Sequence, residues 1–155
     1  MQDINGREIQ VGDYFILASK ASMSHVMKIG RVIDTGALGN LIYKSIEYDW
    51  RSLKVSTCYK LIDKPSSYLV IEQDLIPQFI LDGFDGCLYE LDLGKDFFNQ
   101  EIEVGAKYVV AKHKDRVSCL ETGSLEQVRG DTYFFRTEDG EIFKTKKEHR
   151  IVRVR

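Results

Sequence analysis

The chain has 155 residues, is 43% hydrophobic and 30% charged, and carries a net charge of −2. These totals suit one ordinary domain or two small ones, and no apolar run approaches the ~20 residues that a membrane-spanning helix requires. Three scattered cysteines, an odd number, argue against a disulfide framework and for a reducing cytoplasm, and MQDINGREIQVGDYF has no basic-then-apolar signal segment.

In chain order, the first predicted strand follows REIQVGDYFILA at residues 7–18. A second opens at Gly30 in MKIGRVID and runs into a glycine turn, TGALGN, at 35–40. LIYKSIEYDW, CYKLID and YLVIEQ complete a set of short segments rich in Val, Ile and Tyr, divided by turn residues. After PQFILDGFDGCLYELDLGKDFF the opening phrase returns as QEIEVGAKYVVA, with Gly105 in the place of Gly12. Gly123 follows Gly105 by 18 residues, as Gly30 follows Gly12. DTYFFRTEDG, EIFKTK and RIVRVR then answer the three later segments, with Asp139-Gly140 a hairpin signal between two of them. Aligned on their tyrosines, the two phrases differ by one residue, Ala106-Lys107 standing where the first has Asp13.

The pattern predicts an all-β protein made by internal duplication: two tandem small barrels or strongly bent sheets. Residues 1–76 form an acidic unit, 77–96 an ordered connector, and 97–155 a second unit whose last strands are basic. The connector is too apolar for a free tether, and its glycines suggest a hairpin turning at Asp82–Gly86. Helical periodicity is nearly absent.

On Glu8-Ile9-Gln10-Val11-Gly12-Asp13-Tyr14 followed by Ile29-Gly30-Arg31-Val32-Ile33, the chain resembles the KOW motif of SH3-like, Tudor-like barrels in transcription and translation factors. Taken whole, it is similar to small accessory proteins of T-even-type phages, transcription modulators among them. The resemblance implies a binding module, in a host cytoplasm if phage-encoded. It leaves RNA, DNA and protein open as partners.

The charge is uneven. Residues 1–94 carry 9 basic and 13 acidic side chains, residues 95–155 carry 13 and 11. Lys144, Lys146, Lys147, Arg150, Arg153 and Arg155 crowd the end of the chain, and Lys112, Lys114 and Arg116 lie in KHKDR. Spaced cations of this kind suit a phosphate backbone, whose condensed counterions they release. The bland reading is a solvated face balanced by Glu138, Asp139, Glu141 and Glu148. Among the aromatics, Tyr43 and Tyr133 are the candidates for stacking on bases, although most aromatics in such strands fill the core. In TYFFR, Phe134 must face away from Tyr133 and Phe135.

No metal or cofactor is expected. Asp82, Asp85, Glu90 and Asp92 lack the EF-hand spacing, and the cysteines and histidines (Cys58, Cys87, Cys119, His25, His113, His149) form no C-x-x-C or H-x-x-x-H. No phosphate loop or nucleophile elbow is present either. The expected role is therefore a non-catalytic binding protein, in contact with nucleic acid, DNA ahead of RNA, or with the transcription machinery. The competing expectation is a protein-binding adaptor or inhibitor, such as a phage factor docking on a host protein.

Overall fold

A computed structural model describes residues 2–21, 24–35, 41–49, 52–58, 67–85, 94–114, 117–146 and 150–154. The fold is all-β with one short helix. In order come β1 (Tyr14–Ala21), β2 (Ser24–Thr35), β3 (Leu41–Asp49), β4 (Ser52–Cys58), β5 (Tyr68–Ile71), α1 (Gln78–Phe84), β6 (Lys107–Lys114), β7 (Val117–Arg129), β8 (Thr132–Arg136), β9 (Ile142–Thr145) and β10 (Ile151–Arg153). They make two antiparallel five-stranded sheets, β4-β3-β2-β1-β5 and β9-β8-β7-β6-β10, with the same strand order. No helix among the described residues is long and apolar enough to cross a membrane.

The two sheets match bond for bond at their openings. Gly12 N–H donates to Val32 O and Gly105 N–H to Leu125 O, and both glycines hold a φ near +90°, which a side chain would disfavour. A preceding turn is built on Asp3 in one half and Asp96 in the other, closed by Asp3 N–H to Arg7 O and Asp96 N–H to Gln100 O. The ladders correct the one-residue difference read from the sequence. Tyr14 pairs with Arg31 and Lys107 with Ser124, each ninety-three positions on, so there is no insertion. Lys107 occupies the place of Tyr14, and Tyr108 that of Phe15. Aligning tyrosine with tyrosine misled because the inward ring is Phe in one half and Tyr in the other.

Closed barrels are not what these strands form. Among the described residues no ladder joins β4 to β5 or β9 to β10, so both sheets stay open. The reason lies in the central strands, which are buried on both faces: Tyr14 through Ala18 in β1, Tyr108 through Ala111 in β6. One face of the first sheet encloses Phe15, Leu17, Val32, Tyr43, Tyr68 and Val70. The inner face of the second encloses Tyr108, Val110, Leu125, Tyr133, Phe135 and Ile151. The opposite faces meet in a shared core, where Ile16, Met27 and Ile29 join Val109, Leu120 and Val152. Stacking sheet on sheet hides the apolar surface that closure would otherwise have to hide. The second sheet is nevertheless strongly bent: the Phe143 ring on edge strand β9 stacks on Phe135 at 5.2 Å and comes within 4.7 Å of Lys112 Nζ on β6.

The connector also departs from expectation. Where a hairpin was predicted, residues 78–84 form α1, entered through Pro77 with its φ of −60°. Ile80 and Phe84, one turn apart, point into the shared core, and Phe84 meets Tyr14 edge-on at 5.7 Å. On its exposed side Gln78 Nε2 donates to Asp82 Oδ1 at 2.9 Å. Gly86 lies outside the described residues.

A core shared this way makes the halves interdependent. The full chain is expected to melt in one cooperative transition. Residues 95–155 alone, with Val109, Ala111, Leu120 and Val152 uncovered, are expected to show none. Near-UV circular dichroism on heating checks both.

Candidate nucleic-acid interface

Strand β8 alternates strictly. Tyr133 and Phe135 enter the inner core, so Thr132, Phe134 and Arg136 face outward. The ladders extend that outward set into cross-strand rows. One runs Lys107, Ser124, Arg136, Ile142, and the next runs Gln127, Phe134, Lys144. A third pairs Arg129 with Thr132, and exposed Lys146 follows two residues after Lys144.

Phe134 is half-buried, its root held by the sheet. The Arg129 guanidinium carbon lies 5.6 Å from the ring centroid, a cation–π distance. With its amide oxygen turned toward that guanidinium, Gln127 accepts from Arg129 Nη2 at 3.2 Å. Lys144, directly opposite Phe134, is exposed. Neither Lys144 nor Lys146 has a carboxylate partner among the described residues. The Lys107 row differs: Lys107 Nζ lies 3.9 Å from Glu138, and Arg136 binds Glu126 through both Nε and Nη2 while donating to Gly140 O at 3.0 Å. That row borders a cleft of about 580 Å³ between the halves, lined by Lys107 and Arg136 together with four acidic residues, Glu121, Glu126, Glu138 and Asp139.

The first sheet shows what this face would otherwise be. Both sheets carry a bulge at one place, between Val32 and Asp34 and between Leu125 and Gln127. Aligned on it, Phe134 stands where the first sheet has Ile42, and Arg136 where it has Lys44. There α1 packs over β3 and β4, and Tyr14, the counterpart of Lys107, is buried against it. No described element takes the place of α1 over β8 and β9. The uncovered face has a lysine where the covered one has a tyrosine.

The residues singled out in the sequence scatter. Lys144 and Lys146 lie on the face just described. Lys112 is on the inner side of the sheet, over the Phe143 ring and 3.8 Å from Glu121. Lys114 ends β6, opposite Val117. Arg153 is on β10, the far edge from β9, with Nη1 3.2 Å from Glu103. Arg150 is half-buried, and burial lowers its pKa; its Nε finds no acceptor among the described residues. Arg116, Lys147 and Arg155 lie outside the described residues.

Tyr43 and Tyr133 are corrections. Both are buried, at 7% and 9% exposure, in the cores of their own sheets, where no base can reach them. The outward aromatic is Phe134, and its signal was the alternation in TYFFR. Arg129, Gln127 and Lys107 were missed, because nothing local marks which residues two ladders will bring beside a ring.

Among the described residues no group of three or more His, Cys, Asp or Glu is placed to hold a metal. Cys119 is buried and forms no disulfide among the described residues. Comparison with protein-family models, curated proteins and solved structures returned no match.

Proposed function

We propose that this is a non-catalytic nucleic-acid-binding protein, built by duplication of one SH3-like module, in which the second copy carries the binding face. The observation that supports the reading is the outer face of β7, β8 and β9, where, among the described residues, Lys144 and Lys146 stand without carboxylate partners around a half-buried Phe134. The cations meet phosphates and release their counterions, and the ring gives a base something to stack on. The first copy, whose matching face is filled by α1, acts as the structural partner. Its acidic surplus limits nonspecific adhesion to polyanions.

Fluorescence-anisotropy titration against DNA and RNA at about 50 and 200 mM salt tests this. Micromolar binding that weakens at the higher salt, and is lost on combining Lys144→Glu with Lys146→Glu, is the expected result. Absence of binding at low salt overturns it.

One feature favours a polypeptide partner instead. Ile142, 56% exposed, sits on edge strand β9, whose outer side has no strand beside it among the described residues. A partner adding a strand there would use backbone hydrogen bonds and this side chain. Its binding would survive the double lysine reversal and fail with Ile142→Asp.

A further inference from the structure

Resting on the nucleic-acid reading, we infer that the outer face of β7, β8 and β9 takes a single-stranded polynucleotide rather than a duplex, with Phe134 as the stacking residue. A duplex turns phosphates outward and keeps its base faces stacked inside, so a surface phenyl ring in the middle of the contact has nothing to meet. A single strand offers base faces, and any base can use them.

The geometry suits that use in three respects. Phe134 lies in the central row, with Gln127 on one side and Lys144 on the other, so a stacked base has an amide beside its edge and an ammonium beside its phosphate. Arg129 sets a second planar, cationic group against the ring and is itself held by Gln127. The rows repeat every second residue, roughly 7 Å apart along the strands. They lead from Lys146 past Phe134 to Arg136, about 14 Å, and end at the cleft, whose lining includes Glu121, Glu126, Glu138 and Asp139. That track has room for a few nucleotides, at the small end of single-strand site sizes.

Charge supports a track rather than a broad patch. In the Lys107 row the cations are neutralised by Glu138 and Glu126, while in the Phe134 row Lys144 has no carboxylate partner among the described residues. A duplex engaging the whole face would bring its second strand against those carboxylates. A single strand lies along the ring and touches the unpaired cations first.

The test uses the full chain and labelled oligonucleotides of about 12 nucleotides: mixed-sequence single-stranded DNA, the same sequence as RNA, and the matched duplex. The expected result is single-strand binding at least tenfold tighter than duplex binding at equal salt, the two single-stranded arms distinguishing DNA from RNA as the source. Phe134→Ala and Phe134→Leu should weaken single-strand binding about tenfold or more, Phe134→Trp should restore it, and all three should leave the salt slope unchanged. Lys144→Glu should lower that slope. The leucine variant keeps an apolar side chain on the sheet, so its loss of binding with an unchanged melting temperature separates stacking from folding. Equal or tighter duplex binding, or wild-type affinity in the folded leucine variant, overturns the inference while lysine-dependent binding keeps the broader reading alive. If no nucleic acid binds the wild type, both fall.

Discussion

Gly30→Ala is expected to destabilise the protein by about 2–3 kcal/mol, the upper part of the range for overpacking a tight core. Gly30 sits in β2 opposite Phe15, whose ring folds across it. A methyl group there would lie 2.5 Å from Phe15 Cζ and 2.8 Å from Cε1. That ring cannot step aside. It is fully buried, with Tyr43 edge-on at 5.3 Å and Tyr68 at 6.0 Å. Gly123, the matching residue of β7, is the natural control. Its nearest neighbour, Phe143 Cε1 at 2.9 Å, belongs to a half-buried ring on a four-residue edge strand, less confined than the fully buried Phe15. Phe135 Cβ at 3.0 Å and the backbone Arg136 O at 3.2 Å are less free to yield, so Gly123→Ala should still cost about 1 kcal/mol. Urea midpoints of the two variants check the order. Equal small losses would mean that the Phe15 ring does not pack over Gly30 as described.

These glycines also show how far the sequence carries. Their equal spacing from Gly12 and Gly105 was legible, as were the two turn glycines themselves and the Asp139-Gly140 hairpin, because each depends on a few neighbouring residues. The all-β class followed from short segments of β-branched and aromatic residues between turns. Less local features escaped. YFILA and YVVA are apolar without alternation, the mark of strands buried on both faces, and a closed barrel leaves one face to solvent. Reading that run as it stands predicts a second layer against each sheet, which is where the two halves meet. Helix α1 was invisible for another reason: seven residues are two turns, too few for a 3.6-residue period to stand out in QFILDGF. The candidate interface was legible in half. Lys144 and Lys146 could be named from composition, and Phe134 could be placed outward by alternation. Which cations stay unpaired was not legible, since Arg153 is paired by Glu103, fifty residues away, and Lys112 is spent on Glu121 and the Phe143 ring.

Asp96→Ala should be more disruptive still, costing about 3–5 kcal/mol, because its carboxylate satisfies three backbone donors at once and a buried N–H left without a partner costs about 1–3 kcal/mol. Phe98 N–H and Gln100 N–H donate to Oδ1 at 2.9 Å, and Arg153 N–H donates to Oδ2 at 3.2 Å, tying the turn to β10. Asp3 does the same for the first sheet, accepting from Asn5, Arg7 and Val70. Two turns, each fastened to the last strand of its own sheet by one carboxylate, hold both chain openings in place. Asp96 adds a pH signature. Burial raises its pKa to about 6, the N–H donors of Gln100, Arg153 and Phe98 offsetting only part of that rise. The folded state therefore holds the proton more tightly than the unfolded chain, whose carboxyl titrates near 3.8. Its contribution to stability must grow as the pH falls through 6, levelling off below about 4. Between pH 7 and pH 5 the gain is about 1 kcal/mol. Asp96→Asn removes this titration, so the difference between wild-type and variant unfolding free energies should shift by that amount in favour of the wild type on acidification. Other carboxylates cancel in the difference. Parallel profiles across this window would place the Asp96 carboxyl near its ordinary value and show that the three donors offset its burial.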